Sequence, residues 1–273
     1  MQDLFSLSNK VIIITGGAGL LGRKHAEAVA AFGGIPVILD LDDQQIQEFV
    51  SDLNHNHDCN AYGLAVDITK EEAIKKATTL VLDKYGQIDG LVNNAANNPK
   101  VEPGTKVNFS RLENFPLSDW QADIAVGLTG AFLCAKYFGY EIAKNPNGGA
   151  IVNISSDLGI IAPDQRLYQK EGLAAEQQPV KPVTYSVVKA GLIGLNRYLS
   201  TYWPDKVRAN AICPGGVENN QNEQFLKDVT SRIPMGRMAN TDEYQGLLIF
   251  LLSSASSYLN GAVIAADGGR SAW

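Results

Sequence analysis

One short stretch constrains this chain more than any other: Thr15-Gly16-Gly17-Ala18-Gly19-Leu20-Leu21-Gly22, which ends the β-branched apolar run of residues 10–15. Such a run reads as a strand buried on both faces of a parallel sheet, and the residues after the turn read as a helix over 20–32, stopped by Gly33 and Gly34. Glycines between a buried strand and a helix let the backbone turn tightly and approach a pyrophosphate, which the amides at the positive end of the helix can hold. The next buried run, 35–39, ends in Asp40, eighteen residues past Gly22. A carboxylate there can accept both ribose hydroxyls and would repel a 2′-phosphate. The pattern therefore predicts NAD as cofactor, with NADP disfavoured. The competing reading is that Asp40 and Asp42 merely cap the following helix.

The alternation continues along the whole chain. Helices are expected at 44–53, from Thr69 to Gly86, and at 118–144, 184–202 and 242–253. Strands are expected at 61–66, 90–93, 150–155, 207–212 and 262–266. Seven strands thus alternate with six helices. Strands joined by helical crossovers pair in parallel through right-handed connections, so the expected fold is α/β, a doubly wound seven-stranded parallel sheet with helices on both faces. No internal repeat or Pro/Gly/Ser-rich linker divides the chain, and one domain over 1–273 is expected.

Composition excludes several function classes. Lys+Arg 23 against Asp+Glu 29 gives a net charge of −6 without a basic cluster, the wrong sign for a nucleic acid or an anionic membrane surface. The longest apolar runs, 11–14 and 247–252, fall far short of the roughly 20 residues that cross a bilayer. The first residues, MQDLFSLSNK, lack the apolar core of a signal peptide, which points to the cytoplasm. Cys59, Cys134 and Cys213 have no metal-ligand or disulfide spacing, so no metal is expected and the thiols read as reduced.

Ligands of such a sheet bind at the carboxyl ends of its strands. One edge should therefore collect residues 16–22, Asp40, Asp67, 93–96, Ser155, Ser156 and 214–217. Tyr185 and Lys189, four apart at the start of a helix, share a face. An ammonium near a phenol favours the phenolate and should lower a pKa that starts near 10.

With these motifs in this order, the sequence resembles the short-chain dehydrogenase/reductase family, in its single-domain Rossmann-like branch, over essentially the whole chain. The resemblance implies hydride transfer between a nicotinamide cofactor and a CH–OH or carbonyl group. Tyr185 is the implied acid/base, Lys189 the residue that holds the nicotinamide ribose and biases Tyr185, and Ser156 the hydrogen-bond partner of the substrate oxygen, with Ser155 supporting the backbone. It also implies cofactor contacts from Gly16, Gly19, Leu20, Leu21, Asp40, Asp67, Ile68, Asn94, Ala95, Pro214, Gly215 and Val217, and a homodimer or homotetramer. Three departures stand out. Leu20 occupies the usual middle-glycine position, and Gly19 matches the spacing of the longer sugar-nucleotide branch. Gly127 stands where the family's catalytic asparagine is expected, which predicts a weakened or rerouted proton relay, with Asn97 and Asn98 as substitutes. Finally, 29 positions separate Ser156 from Tyr185. The inserted loop 157–183 and the loop 97–117 border the expected site, making Asn97, Asp164, Gln165, Arg166 and Tyr168 candidate contacts for a small polar, sugar-like substrate, while a surface insertion or an oligomer contact remains the alternative for 157–183. Segment 217–240 reads as a mobile lid. Two other functions compete: a catalytically degenerate dinucleotide sensor or scaffold, and a nucleotide-sugar epimerase or dehydratase.

Overall fold

A computed structural model describes residues 2–97 and 109–273; Asn98 and most of the expected loop 97–117 lie outside them. Seven strands form one parallel sheet: β1 (Val11–Thr15), β2 (Ile35–Asp40), β3 (Tyr62–Ala65), β4 (Gly90–Asn93), β5 (Gly149–Ile154), β6 (Val207–Pro214) and β7 (Val263–Ala266). Their order is β3-β2-β1-β4-β5-β6-β7. The chain thus runs outward from β1 to β3, then returns to lay β4 on the other side of β1. The fold is a Rossmann-like doubly wound sheet, with its topological switch point between β1 and β4.

Side-chain alternation in β1 shows why both faces must be covered. Ile12 and Ile14 pack into one core with Ala26 and Val29 of helix α1 (Leu20–Ala31), Ile46 and Phe49 of α2 (Asp43–His57) and Leu248 of α7 (Gln245–Leu252). Val11 and Ile13 point the opposite way. They meet Ile74 and Val81 of α3 (Glu71–Tyr85), Phe138 of the long helix α4 (117–144) and Leu199 of α5 (Val183–Tyr202). Each fully buried Ile of β1 contributes roughly 1.5–3 kcal/mol by leaving water.

Helix ends follow local chemistry. Asp42 caps α2, its carboxylate accepting from the Gln45 amide at 3.1 Å, which leaves Asp40 free of that role. Gly86 ends α3 in the left-handed region at φ +76°. The sequence pattern stops α2 at 53, but the helix runs on through a polar last turn to His57. Helix α4 widens to π-helical turns at Ala125–Thr129 and Ala135–Gly139, the first of which contains Gly127.

The largest difference from the sequence expectation is in 217–240. This segment carries a seventh helix, α6 (Glu223–Thr230), capped by the Asn222 side chain. Val229, Ile233 and Met238 join Leu167 of the 157–183 insertion in a separate small core, with Tyr168 and Phe225 packed against it. Arg232 adds an ion pair to Asp164 at 2.7 Å. The two segments therefore form one roof, because each supplies apolar residues that the other buries. Among the described residues, no helix is long and apolar enough to cross a membrane.

Candidate active site

The strand tips on either side of the switch point open into a crevice of about 640 Å³, a volume suited to a cofactor or substrate. At one end lie Gly16, Gly19, Leu20 and Leu21. Gly16 has φ +61°, and a Cβ there would stand 2.9 Å from the Ala95 backbone. At Gly22 a Cβ would come within 2.1 Å of the Gly16 carbonyl oxygen. Both positions thus need glycine, one for conformation and close approach, the other for closeness alone. The turn is pinned to β4: the Asn94 amide donates to the carbonyls of Thr15 and Gly16, each at 3.0 Å. Leu20 does not disturb this arrangement. It opens α1 with its side chain 48% exposed, after Gly19 at the N-cap. Gly19 brings no side chain to the first-turn amides, which therefore remain available to an anion.

Asp40 faces the same end from the tip of β2. It accepts from the Ala18 amide at 3.0 Å through one oxygen and from the Leu41 amide at 2.8 Å through the other, so each keeps acceptor capacity toward the crevice. Asp67 and Ile68 line the wall beside it. Asp67 holds the Thr69 hydroxyl, and that hydrogen bond keeps its carboxyl below the ordinary value. Asn94 and Ala95 after β4, and Pro214, Gly215 and Val217 at and after the end of β6, also line the crevice. The turn a Cβ would fill, the uncapped helix end and the acceptor on β2 fit a dinucleotide.

Ser156, Tyr185 and Lys189 converge on the far end of that crevice. Lys189 is 6% exposed, donates to the Ile154 carbonyl at 2.8 Å, and is pushed down to about 8 by burial. Its ammonium lies 5.9 Å from the Tyr185 ring centre. Contrary to the sequence expectation, the Tyr185 phenol is pushed up: burial penalises the phenolate most, the Ser156 hydroxyl pulls the other way, and Asp157 adds to the rise. Desolvation outweighs a cation that is not in contact. The two serines have different partners. Ser155 donates to the Lys189 carbonyl at 2.7 Å and so braces α5, while Ser156 donates to Asp157 at 2.8 Å and accepts from the Leu158 amide.

Gly127 has a partner that the sequence did not show. A Cβ there would sit 2.4 Å from a Val188 methyl, so Val188, next to Lys189, fills the space a side chain at 127 would need. A cavity of about 20 Å³ remains between Gly127, Asp123, Thr184, Tyr185 and Lys189, enough for one water. Asp123 accepts the Thr184 hydroxyl beside it. Asn97 lines both cavity and crevice, its amide near the Ala122 carbonyl at 3.4 Å.

A family profile described as "Enoyl-(Acyl carrier protein) reductase" matches residues 17–271. The chain belongs to the short-chain dehydrogenase/reductase family. The chain is 31% identical to an uncharacterized oxidoreductase of Thermotoga maritima, over 98% of this chain and 99% of the relative. It is 29% identical to an NADP-dependent mannitol dehydrogenase of Hypocrea jecorina, over 98% and 95%. Among solved structures, a putative gluconate dehydrogenase from Agrobacterium tumefaciens superposes with a TM-score of 0.81 at 29% identity, over 99% of each chain. The protein is thus an oxidoreductase of the short-chain type.

Of the insertion residues expected to contact substrate, only Tyr168 lines the crevice, together with its neighbour Leu167. Asp164, Gln165 and Arg166 do not. Asp164 is held between Arg166 and Arg232, and Gln165 accepts from the Lys181 amide at 2.8 Å. These groups build the roof because their partners are nearby backbone and arginines. Three charged residues outside the motifs do reach the crevice: Lys181, Asp157 and Arg270. Their only sequence signal was proximity, four before Tyr185, one after Ser156 and just past Gly269.

Proposed function

We propose that the protein interconverts a CH–OH group and a carbonyl on a small polyhydroxylated substrate, with NAD(H) as cofactor and Tyr185 as the acid/base. The convergence of Ser156, Tyr185 and Lys189 on the crevice carries this reading. A dinucleotide bound along the Gly16–Asp40 end would supply the hydride acceptor or donor at the Tyr185 end. Oxidation also releases a proton from the substrate oxygen, and that proton is the protein's to move. Tyr185 is placed to take it or return it. A phenol that rests protonated suits donation to a carbonyl, with Ser156 holding the same oxygen. Lys189, with its lowered ammonium pKa, can pass a proton through the water-sized cavity beside Gly127. That route replaces the family's asparagine with backbone and the Asp123–Thr184 pair.

Asp40 supports NAD over NADP, since its free acceptor positions suit hydroxyls and its charge opposes a phosphate. One relative named as NADP-dependent and another named as an NAD-dependent glycerol dehydrogenase show only that the family uses both. Mannitol and gluconate in the names of similar proteins support a polyhydroxylated substrate. Exposed Phe132 and Tyr140 on α4, with Tyr198 and Tyr202 on α5, support the reading of a homo-oligomer.

The test is reduction of NAD during a polyol and sugar-acid screen, repeated with Tyr185→Phe. The variant should lose at least roughly a hundredfold in turnover while still binding NADH. Tight NADH binding without turnover of anything would favour a sensor, and turnover of a nucleotide sugar without net cofactor change would favour an epimerase.

A further inference from the structure

Lys181 precedes α5, and nothing in the sequence motifs assigns it a role. Its ammonium stands 3.8 Å from the centre of the Tyr185 ring, closer than that of Lys189 at 5.9 Å. It lines both the main crevice and the small cavity beside Gly127. Burial pushes its pKa down, and Asp157 opposes that only in part. Asp157 is committed elsewhere, to Arg270 at 2.8 Å in a pair whose side chains are 4% and 10% exposed. Among the described residues, no carboxylate lies within 4.0 Å of the Lys181 ammonium. Asp123 lines the same small cavity but is engaged by the Thr184 hydroxyl. A half-buried cation with no carboxylate beside it is costly, and such groups are normally paired. Arg270, which lines the crevice too, spends one N–H on Asp157 and has five.

We infer that Lys181, assisted by Arg270, anchors an anionic substituent of the substrate. The bound ligand, on this inference, carries a carboxylate or a phosphate on the same small molecule as the carbon that reacts at Tyr185. The inference rests on the oxidoreductase reading and narrows its substrate class from polyols to acidic polyols. The ring face explains the free protein: the negative face of the phenol holds the ammonium in place until an anion arrives. The acidic residues Asp40 and Asp67 lie at the opposite end of the crevice and do not compete.

The experiment measures binding of three six-carbon probes to the protein in the presence of saturating NAD by calorimetry: D-gluconate, D-glucitol 6-phosphate and neutral D-glucitol. At least one anionic probe should bind tenfold or more tightly than glucitol, and which one it is identifies the substituent as carboxylate or phosphate. Lys181→Met should bring that ratio close to one, and Lys181→Arg should keep it. Equal affinities for all three, absence of binding, or a ratio that survives Lys181→Met overturns the inference. Circular dichroism confirms that the variants fold. Turnover is read separately, and if a Lys181-dependent anion preference appears in both wild type and Tyr185→Phe but no probe is oxidised, the oxidoreductase reading fails while the anchor stands. If Lys181→Met slows all probes alike with a displaced pH profile, Lys181 acts on Tyr185 and not on an anion, and the anchor fails while the oxidoreductase reading survives.

Discussion

The two ends of the crevice are built in opposite ways. At the end bounded by Gly16 and Asp40, the contacts join strand tips to the turns that follow them and to the first turn of α1. The Asn94 amide grips the backbone of the turn, and the Gly22 Cα lies too close to Gly16 for any side chain. At the other end the walls come from segments far apart in the chain. Residues 157–183 and 217–240 share an apolar cluster and the Arg232–Asp164 pair, and the C-terminal Arg270 reaches back to Asp157. The contrast separates two tasks. A backbone-defined end recognises a ligand common to many proteins, whereas an end assembled from insertions can change its chemistry without disturbing the sheet.

The comparison breaks most sharply at the turn. Gly22→Ala forces a methyl against the Gly16 carbonyl, and NADH affinity should fall by at least roughly a hundredfold, with about 2–3 kcal/mol lost from stability. Fluorescence titration of NADH and urea unfolding check both, and a variant that binds normally would mean the turn is less constrained than its contacts indicate.

The same end has a pH weakness. His25 on the buried face of α1 is pushed down from 6.5 to about 4 by burial, and its Nδ1 has no hydrogen-bond partner among the described residues. The unfolded chain therefore binds the extra proton between those values, so stability is full above about pH 6.5 and falls as pH drops toward 4. The total cost is about 3 kcal/mol. Unfolding free energy measured across that range should slope in wild type and flatten in His25→Met.

Asp40→Asn sharpens the contrast at recognition, while giving up one of the two backbone hydrogen bonds that the carboxylate accepts. The NAD-over-NADP affinity ratio should fall by roughly tenfold, about 1.4 kcal/mol, with about 1 kcal/mol lost from stability. An unchanged ratio would remove Asp40 from the ribose. The smallest effect is expected at the roof. Arg232 and Asp164 are 29% and 20% exposed, so Arg232→Ala should cost less than about 1 kcal/mol in thermal or urea unfolding. A large loss would show that the roof is integral to the fold and not an addition to it.

Much of the fold was legible because it is local. The continuous apolar run of β1, the glycines after it and the acid ending β2 carry their meaning within forty residues, and the residues expected to hold the cofactor do line one crevice. Tyr185 and Lys189 were legible for the same reason, being one helical turn apart. The helix in 217–240 was not, since its apolar face is set by Val229 and neighbours whose partners, Leu167 and Tyr168, lie some sixty positions away. The shift of the Tyr185 phenol was misread for a related reason. Spacing places a cation nearby, but only packing decides how far water is excluded, and here exclusion wins.

The chain on its own determined the winding of the sheet, the cofactor turn and the helical pairing of a phenol with an amine, because each depends on backbone geometry over a few residues. Tertiary structure alone decided which charged groups face the reacting end. It sent Asp164 and Arg166 into the roof, filled the space beside Gly127 with Val188, and brought Lys181 over the Tyr185 ring. Electrostatics between residues distant in sequence depends on burial and approach in space, which no local pattern encodes.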